Sequence, residues 1–425
     1  MNRGFAYRAG RLCVEQVSLE DIAARFGTPV YVYSRSALCD AFDEYHNAFA
    51  GERALVCFAV KANSGRAVLA TLAARGAGFD IVSGGELERV LAAGGPAERI
   101  VFSGIGKSEM ELRQALNAGI RAFNVESGDE LDRLNAVALD AGRQAPVCLR
   151  LNPDVNAGGH RYISTGGLEH KFGVPADACL ELARQAQAAP GLAFRGLACH
   201  IGSQIFREAA FGDAADFLIA KAAELTAHGI PVASLDFGGG LGVATSRDKA
   251  APPSRQRFVA ALLERLPAEL RASTDLLIEP GRSIVADSGA LLTRVEYLKH
   301  GGSKAFAVVD AAMNDLLRPS LYDAWHDIVP VTKRPAQDAV RYDVVGPVCE
   351  TGDFLGHDRD LAVERGDLLA VLQAGAYGAS MSSTYNSRPR AAEVMVDGAV
   401  ARLVRRRERV ADLMAGEAAF EDEMS

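Results

Sequence analysis

Residues 54–63 read ALVCFAVKAN, seven apolar residues in a row closed by a lysine, an alanine and an asparagine. A run of that length without polar alternation describes a strand buried on both faces, as strands of parallel sheets are. The signature recurs in GFDIV from Gly78, RIVFS from Arg99, IRAFNV from Ile120, PVCLRL from Pro146, RGLACH from Arg195, SLDFGGG from Ser234 and LLIEP from Leu276. Helix-like segments separate the runs. Three joints carry the Ser-x-x-Glu pattern of a capping box: Ser83 with Glu86, Ser108 with Glu111, and Ser127 with Glu130. In such a box the serine accepts an orphan N–H while the glutamate reaches back to the cap's own N–H. Leu131, Leu134, Val137 and Ala138 then recur at helical spacing. About eight βα units over roughly 230 residues predict a (β/α)8 barrel of the TIM type spanning 35–285. A doubly wound open sheet is the competing arrangement, weakened because no G-x-G-x-x-G follows the first strand.

After Asp287 the texture changes. TRVEYLKH, SKAFAVVDA, AVRYDVV, GDLLAVL and AAEVMVDGAVARLV are short, alternating or apolar, with Gly, Pro and Asp between them. They predict a mostly β second domain, a β-barrel or sandwich, formed by 1–34 and 286–425. TPVYVYS, from Thr28, is a further strand, either added to the barrel or counted with residues 1–34. ATSRDKAAPPS, from Ala244, reads as an exposed insertion.

Composition narrows the function classes. Of 425 residues, 49% are apolar and 24% charged, the balance of a globular chain rather than a disordered one. With 46 basic and 54 acidic residues the net charge is −8, which argues against a broad nucleic-acid footprint. Seven cysteines lie scattered with no Cys-x-x-Cys pair, against both a disulfide framework and a zinc site, so no metal is expected. No run approaches the roughly 20 apolar residues of a membrane span. Arg8, Arg11 and Glu15 break any leader-like run at the start, and the expectation is a cytoplasmic, soluble protein.

In a barrel of this kind chemistry sits where strands end, because the βα loops form the mouth. The expected strand ends are KAN at Lys61, SGGE at Ser83, NPD at Asn152, HIGS at His200, GGGLG at Gly238 and EPGR at Glu279. Lys61 reads as a solvated surface lysine or as a Schiff-base lysine activated by burial and charge. Barrel closure puts it near Glu279, which a structural ion pair explains equally well. The turns Gly238-Gly239-Gly240 and Pro280-Gly281-Arg282 occupy the positions where barrels often hold phosphate on bare N–H groups. His200 between them is either a rim histidine or a plate against an aromatic ring. Cys349, in GPVCETGD, is either a small buried hydrophobe or a proton donor in a polar turn.

Taken together, FAVKAN, NPDVNAGGHRYISTGGLEHKFG, HIGSQ, DFGGGLG, EPGRS, LLRPSLYDAWH, GPVCETGD and GAYGASMSSTYNSRPR resemble, in that order, the fold-type III pyridoxal-phosphate-dependent amino-acid decarboxylases. Within that family they resemble the branch acting on meso-diaminopimelate. The resemblance implies pyridoxal 5'-phosphate as cofactor, joined to Lys61 as a Schiff base. It implies a phosphate held by Gly239, Gly240, Gly281 and Arg282 with Ser203, a ring stacked by His200, and a ring nitrogen kept protonated by Glu279, next to Pro280. Alanine racemases, on a similar barrel, place an arginine where Glu279 stands; a carboxylate there keeps the ring an electron sink. The resemblance further implies Arg282, Arg318 and Tyr322 on a distal substrate carboxylate and Glu350 on a distal ammonium. Tyr377 would touch cofactor and substrate, and Cys349 would return a proton to Cα. Arginines buried without that distal anion would be left unpaired, which disfavours ornithine, lysine, arginine or a D-amino acid as substrate. The family also implies a homodimer with shared active sites, Cys349 and Glu350 coming from the partner chain. Departures from the family pattern are Phe58, where tyrosine is common, and the loop around Gly159 and Arg161.

Overall fold

In a computed structural model of the chain, residues 4–154, 171–248, 250–302, 304–335 and 338–419 are described. The chain divides into two compact units, Cys39–Ala244 with Asp248–Ile284, and Met1–Leu38 with Thr245–Arg247 and Val285–Ser425.

The first unit is a closed barrel of eight strands: β1 (Ala54–Ala59), β2 (Gly78–Ile81), β3 (Ile100–Phe102), β4 (Ala122–Val125), β5 (Ala145–Leu151), β6 (Leu192–Cys199), β7 (Ser234–Asp236) and β8 (Asp275–Ile278). Every neighbouring pair is parallel, and β8 returns to β1 through Leu276 opposite Ala54 and Ile278 opposite Val56. All eight expected runs are strands, and closure excludes the open sheet. Side chains alternate faces along a strand, so residues two apart share one. Leu55 and Cys57, Val101, Ala122, Cys148 and Leu277 pack together as the apolar part of the interior. Ala122, Cys57 and Cys148 are smaller than the Val, Ile and Leu that commonly fill such barrels. Counted onward by twos, the same face carries Asp80, Ser103, Asn124, Asp236 and Glu279.

The expected helix caps form, with one difference. Ser83, Ser108 and Ser127 each accept the N–H of the glutamate three residues on. Only Glu111 returns to its cap's own N–H. Glu86 accepts from Val82 N–H and Glu130 from Glu126 N–H, one residue earlier. At Glu130 the reason is visible: its other oxygen takes the buried Lys107 ammonium at 2.6 Å, which pulls the carboxylate inward.

The second unit is mostly β. Strand Val30–Ser34 lies between Gly289–Gly301, antiparallel, and Ala392–Asp397, parallel. TPVYVYS therefore belongs to this sheet and not to the barrel. Val30, Val32, Ala290, Leu292, Val394 and Val396 bury one face of the sheet against Leu19 and Ile22 of the helix Leu19–Phe26. Within the expected insertion, residues 246–248 are exposed, yet Ser246 N–H donates to Asp327 and the Arg247 guanidinium sits 5.3 Å over the Trp325 ring. Among the described residues no helix is long and apolar enough to cross a membrane.

Candidate active site

The chemistry of the barrel gathers beyond the C-terminal ends of its strands. Lys61 sits in a single 3-10 turn, Val60–Ala62, that continues β1. The turn is tied to the opposite side of the closure by the Ala59 N–H, which donates to the Pro280 carbonyl at 3.1 Å. The direct partner of Lys61 is Asp80, whose Oδ2 accepts from Nζ; the aspartate is fully buried while the lysine side chain remains 36% exposed. Glu279 is buried at the end of β8 and takes weaker contacts from Asn124 Nδ2 at 3.3 Å and Ser103 Oγ at 3.4 Å. Burial, then the nearby Asp236 and Asp80 carboxylates, push its pKa well above the usual range, and Lys61 opposes them. Burial also raises Glu86, at the start of the helix after β2, to about 7. Cys57, Cys148 and Cys199 in the wall are likewise raised by burial, so the barrel offers no thiolate nucleophile among these three.

Two backbone turns and one arginine form a cradle beside these groups. A Cβ at Gly239 would stand 2.2 Å from the Glu279 carbonyl oxygen, so the β7 turn reaches the Glu279 backbone only because position 239 carries no side chain. Gly240 adopts φ +106°, a conformation that favours glycine. Arg282, buried, directs Nη2 at 3.0 Å and Nε at 3.3 Å to Ser203 Oγ. His200 Nδ1 accepts the Gly239 N–H at 3.2 Å. An accepting Nδ1 leaves the proton on Nε2. Burial, then the charges of Arg150 and Lys61, hold the His200 pKa well below its usual value, so the ring is neutral. Pyridoxal phosphate asks for an amine, an anion cradle with bare N–H groups and an arginine, a neutral flat ring and a buried acid. The close turn approach at Gly239, with Arg282 beside it and the Glu279 acid, fits that list.

In the second unit, Arg318 opens the short helix Arg318–Tyr322, buried, with its guanidinium 5.3 Å over the Tyr322 ring and 5.7 Å over that of Tyr377. These three thus form one cationic, aromatic cluster, and Tyr377 adopts a left-handed φ of 55°. Cys349 is exposed rather than buried; its N–H donates to Asn386 Oδ1 at 2.8 Å. The adjacent Glu350 accepts from the Tyr385 hydroxyl at 2.6 Å, which raises the tyrosine pKa. Gly159 and Arg161 lie outside the described residues. The described residues resume at Lys171, and the Gly173 N–H donates to the buried Glu126, itself paired with Arg150 at 3.0 Å. Reading strand ends alone missed Asp80, Asn124 and Asp236, which lie within strands, although spacing by two from Gly78, Ala122 and Ser234 places them inward.

Comparison with known proteins bears on this arrangement. Residues 35–286 match the family described as pyridoxal-dependent decarboxylase, pyridoxal binding domain. The chain is 54% identical over 407 residues to a diaminopimelate decarboxylase of Vibrio cholerae, covering 96% of each. It is 55% identical over 413 residues to that of Pseudomonas aeruginosa, covering 97% of this chain and 98% of the other. Among solved structures, diaminopimelate decarboxylase from M. jannaschi superposes with a TM-score of 0.93 at 34% identity over 99% of both chains. The Helicobacter pylori enzyme, complexed with L-lysine, superposes with a TM-score of 0.89 at 40% identity over 93% of this chain and 98% of the other.

Proposed function

The chain belongs to the diaminopimelate decarboxylase family of pyridoxal-dependent decarboxylases, and from that premise we infer that it removes one carboxylate of meso-2,6-diaminopimelate as CO2, giving L-lysine, in the last step of lysine biosynthesis. The observation that carries the reading is the convergence of Lys61, His200, Glu279 and the Gly239–Arg282 cradle at one end of a single closed barrel. When bound, pyridoxal phosphate supplies a conjugated ring that accepts the electron pair left on Cα as CO2 departs.

The chain's own residues then have these tasks. Asp80 holds the Lys61 ammonium in place, and the amine is the group that receives the cofactor aldehyde. The Gly239 turn, whose own N–H is held by His200 Nδ1, and the N–H groups of Gly240 and Gly281, with Arg282 and Ser203, would hold the phosphate, Arg282 through charge-assisted bonds. Neutral His200 would offer its face to the ring, where a cation would oppose a protonated ring nitrogen. Glu279 would accept from that nitrogen and keep its proton there. Arg318 and Tyr322 orient the distal carboxylate of the substrate, Glu350 its distal ammonium, and Tyr377 the reacting end. Exposed Cys349 returns a proton to Cα after CO2 has left. The active form is a homodimer in which protomers share active sites, consistent with an exposed Cys349–Glu350 turn that is otherwise stranded at the surface. A cytoplasmic location accords with a substrate that is a metabolic intermediate.

The test is release of lysine and CO2 from meso-diaminopimelate with added pyridoxal phosphate, with Lys61→Ala as control and ornithine, lysine and arginine in parallel. Lysine from diaminopimelate alone, lost in the variant, supports the assignment. CO2 from a diamino acid lacking the distal carboxylate would overturn the substrate.

A further inference from the structure

The barrel interior holds one more acid than the reaction above uses. Asp236, 2% exposed at the end of β7, accepts the Gly238 N–H through Oδ1 at 2.9 Å, while its Oδ2 is buried and finds no donor among the described residues. Its carboxylate lies within hydrogen-bonding reach of Glu279, which is buried as well. Two carboxylates are acceptors only, and a buried acceptor facing another acceptor is satisfied by a proton between them.

The surroundings reinforce this. From β2 comes a third carboxylate, Asp80, and from the turn after β1 the single ammonium of Lys61. Asn124 from β4 and Ser103 after β3 are neutral donors, and Cys57, Cys148 and Cys199 from β1, β5 and β6 are neutral thiols. Arg150 on β5 is paired with Glu126, His200 after β6 is neutral, and Arg121 below is paired with Asp275; Arg195 on β6 is exposed. Three buried carboxylates against one ammonium leave excess negative charge that a low-dielectric interior opposes.

We propose that Asp236 and Glu279 share one proton at neutral pH, and that Asp236 is thereby the positioning residue that sets where Glu279 carries its charge. This role rests on the reading that Glu279 faces a ring nitrogen. With no cation against Glu279 the proton rests on Glu279. A cation there favours the glutamate anion, and the same proton moves along the shared bond to Asp236 Oδ2. The pair gains and loses no proton in the exchange. The titration of the two acids runs the same way, since burial raises Asp236 to about 6 and Glu279 further. A cavity of about 70 Å³ reaches Asp236 from the opposite end of the barrel, lined also by Asn124, Ser234, Arg121, Arg195 and Asp275. At roughly 10–15 Å³ per water it has room for several. The shared proton therefore equilibrates with solvent without passing the mouth.

Infrared spectroscopy of the cofactor-free full chain tests this, with 13C-labelled aspartate or glutamate to assign bands. In a Glu86→Gln background, which removes the other raised glutamate, the otherwise wild-type chain is expected to keep a neutral carboxyl C=O band at about pH 7, where ordinary carboxylates have lost theirs. In Asp236→Asn, Glu279 loses its anionic neighbour and the midpoint of the band falls by at least about one pH unit. Glu279→Gln does the same to Asp236, which keeps the test alive if one variant misfolds. In the loaded protein, Asp236→Asn is expected to shift the pH midpoint of the bound cofactor's absorbance; a merely structural aspartate would lower occupancy without moving it. Absence of the neutral band in that otherwise wild-type chain, or an unchanged midpoint in Asp236→Asn, would overturn the proposal. Because the infrared measurement needs neither cofactor nor substrate, a failed decarboxylation assay would overturn the reaction and leave the shared proton standing.

Discussion

Gly239→Ala tests the cradle most directly. The added Cβ would stand 2.2 Å from the Glu279 carbonyl oxygen and 2.8 Å from its carbon, whereas contacts under 3.0 Å are essentially never shown by real Cβ atoms. The obstructing atoms are backbone, so no rotamer change relieves them. The β7 and β8 turns must part by about 0.8 Å, which stretches an ordinary N–H···O bond of ~2.9 Å beyond the useful range. Losing one bond to a charged oxygen costs about 1.5–3 kcal/mol, or roughly 10- to 150-fold in affinity. The assay is titration of the cofactor-free variant with pyridoxal phosphate, followed by absorbance, with a thermal melt to confirm folding. Gly106→Ala is the control: its Cβ would meet nothing within 4 Å, in the loop after β3 at the same end of the barrel. Binding by Gly239→Ala within about threefold of wild type would refute the argument that this close approach holds the phosphate. So would an equal loss in the control.

Other substitutions probe separate parts of the chain. Lys107→Met strands Glu130 in a pair whose side chains are 1% and 8% exposed, and is expected to destabilise by about 3–5 kcal/mol in urea unfolding, with much of the loss restored by adding Glu130→Gln. Glu86 rises from an ordinary 4.5 to about 7, so the folded state holds an extra proton between those values and stability falls as pH rises through that window; Glu86→Gln is expected to flatten the fall in a pH series of urea midpoints. Arg318→Met removes the cation over Tyr322 and Tyr377 and is expected to raise the KM for meso-diaminopimelate about 10- to 150-fold, read by steady-state kinetics, without a matching loss of pyridoxal phosphate affinity. Cys349→Ser weakens the acid that returns the proton, with kcat expected to fall by about 10²–10⁴ and KM to change little.

The barrel was legible because its strands are apolar over most of their length. ALVCFAV and the seven later runs point to strands buried on both faces, as in a parallel sheet covered by helices, and the pairing of β8 with β1 closes that sheet. The second sheet was harder to read. Val30–Ser34 takes its place from Leu291 opposite Tyr31 and Val394 beside Val32, pairings far along the chain that no local pattern contains. The caps were half legible, since a serine's acceptance of the N3 amide is local. Where Glu130 turns is decided instead by Lys107, twenty-three residues earlier.

The site divides the same way, and the division has a physical cause. Strand ends are visible as polar punctuation after apolar runs, which is why Lys61, His200 and Glu279 stand out. Asp80 and Asp236 sit inside GFDIV and SLDFGGG, where a single acid reads as a blemish in a buried strand. Parity changes that reading. Gly78 and Asp80, Ala122 and Asn124, Ser234 and Asp236, and Leu277 and Glu279 each lie two apart, so each of these four strands, having placed a small or apolar residue in one interior layer, places a polar one in the next. One such acid would be destabilising alone. Several at the same height, with a lysine above and water-sized space below, form a layer whose charges and protons are set collectively. That collective property belongs to barrel closure. Each strand carries its own acid in its sequence, but only the pairing of β8 with β1 brings Lys61, Asp80, Asp236 and Glu279 into one electrostatic neighbourhood.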